Sequence, residues 1–402
     1  MTTISAVPSD MACEVFPGLV GARPSASPAV APPRHILHVI NGEHYSGAER
    51  VQDLLAEQLP ACGFEVTLAC IKPGKFPQAR RYQQAPLHQV PMRSKIDLRV
   101  VMRLAGIVRS AHSVLIHAHT PRSALVARMA SILTRVPMVY HVHSPVKRDT
   151  THAWRNRVNQ WTEAISLAGS PTLITVSESL RQHMLAAGYP AARTHCVPNG
   201  VPAPAISRDD RPPTTPWVLG TVALFRPRKG LEVLLDAVAQ LARADLPVRL
   251  LAVGAFETRE YEQQIQQHVV ARNLQDRIEW TGFTTDVAKQ LTRMDLLALP
   301  SLFGEGLPMV VLEAMAAGVP VVASRVEGVP EAIEDGVSGC IVEPGSASDL
   351  ADGIARVVRG EINWTQLRRR ALARHGECFS DRIMASRTAD IYRHVLAGRA
   401  PL

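Results

Sequence analysis

Two glutamates eight residues apart, Glu305 and Glu313, are the residues of this chain most suited to chemistry. An apolar run at residues 295–300 predicts a buried strand before them. Pro308 suits the first turn of a helix, where its missing N–H costs no hydrogen bond. We therefore expect Glu305 in the loop before a helix that starts at Leu307, and we expect Glu313 inside that helix.

This arrangement places a carboxylate, a helix start with unpaired N–H groups and a second carboxylate in a row. A helix N-terminus favours anions, and phosphate above all. A carboxylate only accepts hydrogen bonds, so it suits a pair of neighbouring hydroxyls. Hydroxyls, phosphate and hydroxyls in that order describe the hexose, diphosphate and ribose of a nucleotide sugar. From spacing alone, an ordinary strand, loop and helix with two solvated carboxylates remains an equal alternative.

The residues around the two glutamates resemble a family signature. The segments Phe-Gly-Glu-Gly-Leu-Pro (303–308) and Glu-Ala-Met-Ala-Ala-Gly-Val-Pro-Val-Val (313–322) are similar to those of the retaining family 4 glycosyltransferases. The resemblance, which spans residues 36–359, implies the GT-B fold, an α/β architecture of two Rossmann-like doubly wound parallel-sheet domains facing a cleft. The implied roles are hexose positioning by Glu305 and ribose binding by Glu313, with further donor contacts from Gly306, Leu307, Pro308 and Val310.

The composition is that of a globular protein large enough for two domains. The chain has 402 residues, 46% of them hydrophobic and 20% charged, and no apolar run reaches the roughly 18 residues that cross a bilayer. Residues 1–33 are rich in Ala, Pro and Ser, which predicts a disordered tail and not a secretory signal. The six cysteines form no C-x-x-C pair, so we expect reduced thiols in the cytoplasm and no zinc site.

The charge of the chain is concentrated in its first half. Residues 1–205 carry 21 Lys and Arg against 11 Asp and Glu, a net charge of +10, whereas residues 206–402 carry 23 against 25, a net charge of −2. The basic half predicts an anionic partner, such as a phosphate-bearing acceptor or an acidic membrane face. The alternative is a basic surface that is simply solvated. Nucleic acid is not expected, because no aromatic residues alternate with the basic ones.

Alternating strands and helices over residues 34–201 predict a first Rossmann-like domain with a mostly parallel sheet. Its first strand leads into a loop in which Gly47, as the resemblance implies, lets the backbone approach the donor phosphate. Two H-x-H pairs follow later strands, whose carboxyl ends border the ligand site in such sheets. The resemblance implies that His143 faces the donor, and we place His119 on the acceptor side. A structural role for these histidines is the alternative.

A Pro-rich stretch at residues 202–216 predicts the linker to a second Rossmann-like domain at residues 217–380. By the same resemblance, a C-terminal helix within residues 381–402 crosses back onto the first domain. The loop at Phe283 is similar to the one that packs against the nucleotide base in the family.

Basic residues come directly before the first helix of the second domain. Arg226, Arg228 and Lys229 follow a predicted strand at residues 218–224, where they could neutralise a diphosphate. The resemblance implies that Lys229 and one arginine hold the leaving group. Leu224 occupies the usual position of that arginine, so Arg226 or Arg228 must replace it, and we favour Arg228. The alternative is a solvated basic turn.

These features predict a retaining, metal-independent hexosyltransferase that uses a nucleotide-diphosphate sugar and no cofactor to build a cell-surface polysaccharide or glycolipid. The expected partners are a carbohydrate or lipid-linked acceptor and the anionic inner face of the plasma membrane. The alternatives are a non-catalytic nucleotide-sugar-binding subunit of a polysaccharide complex and a GT-B nucleotide-sugar epimerase. The predicted catalytic residues are His143, Arg228, Lys229 and Glu305.

Overall fold

The computed structural model describes residues 32–94, 97–144, 167 and 171–398, so most of the predicted tail lies outside the described part. The first domain contains a parallel sheet of strands β1 (Arg34–Ile40), β2 (Phe64–Cys70), β3 (Leu87–Gln89), β4 (Leu115–Ala118), β5 (Met138–Val142), β6 (Thr172–Thr175) and β7 (Thr194–Cys196). Their order in the sheet is β3-β2-β1-β4-β5-β6-β7. The helices described here are α1 (Gly47–Gln58), α2 (Phe76–Ala79), α3 (Leu98–Ser110), α4 (Pro121–Thr134) and α5 (Glu178–Ala186).

The second domain repeats this design with a parallel sheet of β8 (Trp217–Val222), β9 (Val248–Val253), β10 (Ile278–Gly282), β11 (Leu296–Leu299), β12 (Val321–Ser324) and β13 (Cys340–Val342). The order in this sheet is β10-β9-β8-β11-β12-β13. Its helices are α6 (Leu231–Arg243), α7 (Arg259–Ala271), α8 (Val287–Leu291), α9 (Met309–Ala316), α10 (Val329–Ala332), α11 (Ala347–Val358) and α12 (Trp364–Cys378). Two such sheets confirm the predicted doubly wound α/β architecture.

The central strands could be recognised in the sequence because both faces of each are covered. Every residue of β4, β11 and β12 is buried. Parallel strands of this kind are near-continuous apolar runs and not alternating patterns. The three short strands β3, β7 and β13, of three residues each, were not predicted. A run that short carries no periodicity to detect, so pairing with a neighbouring strand decides its conformation.

The C-terminal helix α13 (Asp381–Ala397) packs against helix α1 of the first domain. Its Tyr392 is fully buried, and its ring meets that of Phe64 edge to face at a centroid distance of 5.3 Å. The Tyr392 hydroxyl lies 2.6 Å from His117 Nδ1 and 3.1 Å from His38 Nε2. This helix therefore anchors the end of the chain to the centre of the first sheet.

Helix α9 begins two residues later than predicted. Its first residue is Met309, and Pro308 is the N-cap with an extended ψ of 117°. The predicted start at Leu307 is wrong because a residue that precedes proline is disfavoured in the helical conformation. The loop before the helix is therefore longer, and Glu313 lies four residues, about 6 Å, into the helix.

Cysteine chemistry and membrane spans were also predicted from the sequence. Cys62, Cys70, Cys196 and Cys340 are free thiols, but Cys378 is disulfide-bonded, so the prediction of reduced thiols is wrong at this position. Within the described residues, no helix combines the length and the apolar character that crossing a bilayer requires.

Candidate active site

Glu305 lies in the loop that follows β11, and cations from the start of the second domain surround it. The residue is only 6% exposed, which excludes the alternative of a solvated carboxylate here. Lys229 Nζ and Ser301 Oγ both donate to Glu305 Oε1, the latter at 2.7 Å, and Arg228 Nη1 lies 3.8 Å from the same oxygen. The Glu305 N–H donates to Glu327 Oε2 at 3.0 Å. Both ends of the residue are therefore held in place.

The charges of this cluster determine how Glu305 ionises. Burial acts to raise the pKa of the Glu305 carboxyl, but the positive charges of Lys229 and Arg228 and the hydrogen bonds from Lys229 and Ser301 lower it below its ordinary value. Burial also lowers the pKa of Lys229, which the charge of Glu305 opposes. Glu305 is therefore an anion at neutral pH, next to two basic side chains that are themselves mostly buried.

Leu224 occupies the position where the family usually has an arginine. The two candidate replacements, Arg226 and Arg228, contact different groups. Arg228 Nη1 donates to the carbonyl oxygens of Phe303 at 3.2 Å and Gly304 at 3.1 Å, in the loop of Glu305. Arg226 Nη1 instead lies 3.5 Å from Glu257 Oε1. Arg228 is therefore the arginine that lies beside the predicted site.

Glu313 projects from α9 towards the first domain, where it forms an ion pair with Arg50 of α1. The Glu313 side chain is 12% exposed and that of Arg50 is 23% exposed. Arg50 binds Glu313 Oε1, whereas Glu313 Oε2 is buried and has no hydrogen-bond partner. Burial lowers the pKa of Arg50 to about 10, so the guanidinium remains charged at neutral pH. Oε1 of Glu313 is thus paired with a cation from the other domain, and Oε2 remains able to accept a hydrogen bond.

Glycines allow the two domains to touch at this point. A Cβ on Gly306 would lie 2.1 Å from the carbonyl oxygen of His143, which follows strand β5 of the first sheet. A Cβ on Gly47 would lie 3.7 Å from Met309 Cγ at the start of α9. The carbonyl oxygen of Leu307 accepts from Asn199 Nδ2 at 2.9 Å. The loops at the carboxyl ends of the two sheets are therefore in direct contact, with the predicted residues on both sides of that contact.

Other predicted residues lie around this contact. Leu307 and Pro308 are buried and Val310 is partly buried, so they shape the start of α9. Phe283 is 56% exposed, and Lys75 Nζ of the first domain lies 5.0 Å from the centroid of its ring. The loop after Phe283 also reaches the first domain, because the carbonyl oxygen of Thr285 accepts from Arg81 Nη2 at 2.8 Å. Phe283 thus lies at the rim of the interdomain contact, open to a ligand.

Five histidines cluster at the carboxyl ends of β1, β4 and β5. His38 and His117 are register partners on neighbouring strands. The rings of His117 and His141 are parallel at a centroid distance of 5.3 Å, and His119 Nδ1 lies 3.1 Å from His143 Nε2. His143 in turn contacts Gly306, so the cluster extends from the buried core of the first domain to the interdomain contact.

Burial determines the charge of this cluster. It lowers the pKa values of His38 and His143 to about 3. Burial and the neighbouring imidazoles lower those of His117, His119 and His141 well below the ordinary value. All five rings are therefore neutral at pH 7. Neutral imidazoles can ligate a metal ion, and two groups, His38–His117–His119 and His119–His141–His143, each bring three ring nitrogens within 4.8 Å.

Arg50, His38 and Tyr392 are among the residues of this region that sequence reasoning missed. Arg50 belongs to the Gly-Ala-Glu-Arg segment of the Gly47 loop, which was the only local signal for it. His38 lies within an apolar strand and Tyr392 within a terminal helix, 354 residues apart. Only the sheet order and the return of α13 bring them together, so no local pattern could have identified them.

Comparison with known proteins places the chain among sugar-transferring enzymes. Residues 45–203 match the model of the Glycosyltransferase Family 4 and residues 203–374 match that of the Glycosyl transferases group 1. A phosphatidyl-myo-inositol mannosyltransferase of Mycobacterium leprae is 30% identical over 292 residues, which cover 70% of this chain and 73% of the relative. A D-inositol 3-phosphate glycosyltransferase of Saccharomonospora viridis is 30% identical over 333 residues, 74% of each chain.

A solved structure shares the fold. Anabaena HepE in complex with UDP-glucose superposes with a TM-score of 0.77 at 22% identity, over 90% of this chain and 99% of HepE.

The close approach at Gly306 generates a prediction about domain closure. In the variant Gly306→Ala, the new methyl group would meet the backbone of His143, which cannot move aside as a flexible side chain would. We expect the domains to separate and the stability to fall by about 1–3 kcal/mol. Small-angle X-ray scattering should detect a larger radius of gyration. The control is Gly376→Ala, because that position has no heavy atom within 4 Å of its notional Cβ. An unchanged scattering profile for Gly306→Ala would contradict this account.

The neutral histidines generate a prediction about pH. His38, His117, His119 and His141 are each at most 1% exposed and have folded-state pKa values below that of the unfolded chain. The unfolded state therefore binds more protons, and stability is lost as the pH falls below the ordinary histidine value of about 6.5. Each such group contributes about 1.4 kcal/mol per pH unit at pH values well below 6.5.

Denaturant unfolding between pH 7.5 and pH 5 measures this slope. The variant His141→Gln removes one titrating ring and should make the slope shallower by about 1.4 kcal/mol per pH unit. A stability that does not change over this pH range would show that the cluster is not buried as described.

Proposed function

This chain belongs to the family 4, group 1 glycosyltransferases, and we propose that it transfers a hexose from a nucleotide-diphosphate sugar to an acceptor hydroxyl with retention of anomeric configuration. The observation that carries the proposal is the pair of buried carboxylates at the interdomain contact, each next to a cation from elsewhere in the chain. Charged groups held away from water cost free energy, and a ligand that bridges them offsets part of that cost.

The ribose is assigned to Glu313. Its Oε2 atom is buried without a partner, so it can accept from a ribose hydroxyl while Oε1 stays paired with Arg50. A buried acceptor that lacks a donor is costly, and a hydroxyl would satisfy it. Phe283, exposed at the rim, is available to contact the nucleotide base.

The diphosphate is assigned to Lys229, Arg228 and the N-terminus of α9. Both side chains converge on Glu305, at the carboxyl end of the second sheet and before α9. They would neutralise the charge that develops on the departing diphosphate, and removing one such group typically costs roughly 10²–10³ in rate. Because protein cations provide this charge, we infer that the reaction needs no metal ion.

The hexose is assigned to Glu305 and His143. Glu305 is fixed by four groups and would accept from sugar hydroxyls. His143 is neutral, so it can either donate to or accept from a sugar hydroxyl. His119, 3.1 Å from His143, would continue this hydrogen bonding towards the acceptor. Contact between the two domains would exclude water, which otherwise hydrolyses the donor.

The comparisons support a UDP-sugar donor and a lipid-linked or polysaccharide acceptor. HepE binds UDP-glucose in a fold that superposes on this one, and the mannosyltransferase relative is named for a phospholipid substrate. The basic first half of the chain suits a phosphate-bearing acceptor. We place the protein in the cytoplasm, in peripheral contact with the membrane that carries this acceptor.

Glu313→Ala tests the ribose assignment. We expect the dissociation constant of UDP to rise by about 10- to 100-fold, because a charge-assisted hydrogen bond of about 1.5–3 kcal/mol is lost. Isothermal titration calorimetry measures this change. Glu313→Gln keeps an acceptor oxygen and should lose less affinity than Glu313→Ala. Glu343→Ala removes a carboxylate whose side chain is 66% exposed in the same domain, so it is the control. Equal affinity of Glu313→Ala and the wild type for UDP would reject the assignment.

A donor assay separates the enzyme from a non-catalytic binding subunit. UDP-, GDP- and ADP-hexoses are incubated with the protein, and release of the nucleoside diphosphate is measured with and without excess EDTA. We expect release from one donor class at a rate that EDTA does not change. Binding without release would favour the non-catalytic subunit. Loss of release with EDTA that Mg²⁺ restores would overturn the metal-independent mechanism.

A further inference from the structure

The inner part of the histidine cluster contains ring nitrogens that the proposed transfer reaction does not use. His38, His117 and His119 are each at most 1% exposed. Each ring has one buried nitrogen without a hydrogen-bond partner among the described residues: Nδ1 of His38, Nε2 of His117 and Nε2 of His119. Buried polar atoms without a partner are rare in folded proteins and can mark a bound ion or water molecule. Three such atoms on neighbouring side chains therefore indicate a ligand.

The parallel sheet of the first domain brings these three rings together. His38 of β1 and His117 of β4 are register partners on adjacent strands. The ring centroids of His117 and His119 are 4.0 Å apart, and that of His38 lies 4.8 Å from the first and 5.0 Å from the second. One nitrogen from each ring lies within 4.8 Å of the other two. Nitrogens that bind one tetrahedral ion at about 2.0–2.1 Å are roughly 3.3 Å apart, so ring rotations that move these atoms by about 1.5 Å at most bring them into range.

The other nitrogen of each ring is hydrogen-bonded, which leaves a lone pair available on the unpartnered one. His38 Nε2 and His117 Nδ1 both meet the hydroxyl of Tyr392, at 3.1 Å and 2.6 Å. That oxygen can accept two hydrogen bonds, so both rings can carry their proton on this side. His119 Nδ1 can likewise donate to His143 Nε2 at 3.1 Å. Metal-binding imidazoles generally donate their other N–H in this way, which fixes their tautomer and orientation.

A metal ion satisfies this arrangement better than a single water molecule does. A water molecule has two hydrogens, so it donates to two of the three nitrogens, whereas a cation accepts all three lone pairs. Imidazole nitrogen suits zinc, copper and nickel, whereas Mg²⁺ and Ca²⁺ prefer oxygen ligands. His141 is available as a fourth ligand, because both of its ring nitrogens are buried without a partner among the described residues and its ring centroid lies 5.2 Å from that of His119. Four protein ligands are typical of a structural zinc site.

The second histidine group, His119–His141–His143, is less suitable for a metal ion. His143 Nε2 already pairs with His119, and the His143 backbone touches Gly306 at the interdomain contact. His38 and His117 instead lie against Tyr392 of α13. An ion bound to the inner rings therefore leaves His143 free for the hexose.

We propose that His38, His117, His119 and His141 form a structural binding site for Zn²⁺ or another divalent transition-metal ion that prefers nitrogen ligands. The ion would join β1, β4 and β5 at the centre of the first sheet. It takes no part in the transfer, so the proposal does not rest on the proposed function and leaves its metal-independent chemistry unchanged. Because the ligands are imidazoles alone, the spacing of the cysteines gave no signal for this site.

Metal analysis of the purified protein tests the proposal. The full-length chain is produced without a polyhistidine tag in medium that contains Zn²⁺, freed of loosely bound ions by gel filtration, and measured by inductively coupled plasma mass spectrometry. We expect about one zinc ion per chain in the wild type. The zinc content should fall to near zero in His38→Gln, because an amide is a poor substitute for imidazole as a zinc ligand. His88→Gln is the matched control and should keep the ion, because His88 is exposed on β3 of the same sheet.

Unfolding measurements show whether the ion stabilises the fold. An ion that binds only the native state stabilises it, and EDTA captures the ion when the chain unfolds. We expect EDTA to lower the denaturant midpoint of the wild type and of His88→Gln but not that of His38→Gln. Tyr392→Phe keeps all four imidazoles and removes the hydroxyl that orients two of them. Its zinc affinity should therefore fall about 10- to 100-fold in competition with a chelating dye.

The outcomes separate a metal site from a histidine cluster that holds only water. Wild-type protein with no more zinc than its buffer would overturn the site, and so would equal zinc contents of the wild type and His38→Gln. Unchanged zinc affinity of Tyr392→Phe would overturn it as well. Nucleotide release from a soluble donor tests the proposed function separately. Zinc-free wild type that releases nucleotide would reject the metal site alone, whereas zinc binding without nucleotide release would reject the enzyme alone.

Discussion

Buried ion pairs at the contact between two domains are the constraint on which the rest of this structure depends. Glu305 is paired with Lys229 within the second domain, and Glu313 is paired with Arg50 across the two domains. A buried charge is tolerated only when a partner of opposite sign compensates for its lost hydration. The site therefore exists only while its loops hold these partners together, which ties the site to the interdomain geometry.

The interdomain geometry depends on glycine as much as on charged residues. Gly306 allows the loop of Glu305 to rest directly against the backbone of His143. The same loop receives a hydrogen bond from Asn199 of the first domain, and Arg228 ties its carbonyl oxygens to the start of α6. Several contacts on one loop thus fix the position of the Glu305 carboxylate.

The histidine cluster connects this contact to the core of the first domain. Its outer members, His119 and His143, lead to the interdomain contact, and its inner members, His38 and His117, bind the hydroxyl of Tyr392 on α13. The C-terminal helix α13 therefore shapes the environment of the inner histidines, which contact the outer histidines of the cluster. Neutral rings are a consequence of this burial, since water does not reach them to stabilise a charge.

The sequence by itself determined the architecture and the segments that carry the candidate site. Apolar runs such as β11 and β12 and the Gly-Glu-Gly-Leu-Pro loop are local patterns, and they predicted two parallel sheets with Glu305 and Glu313 on either side of a helix start. Tertiary structure alone decided which atoms meet. Arg50 reaches Glu313, Arg228 and not Arg226 turns to Glu305, and Tyr392 reaches His38, because those contacts form between elements distant in the chain. Local propensity acts over a few residues, whereas these pairs depend on how whole sheets and domains pack.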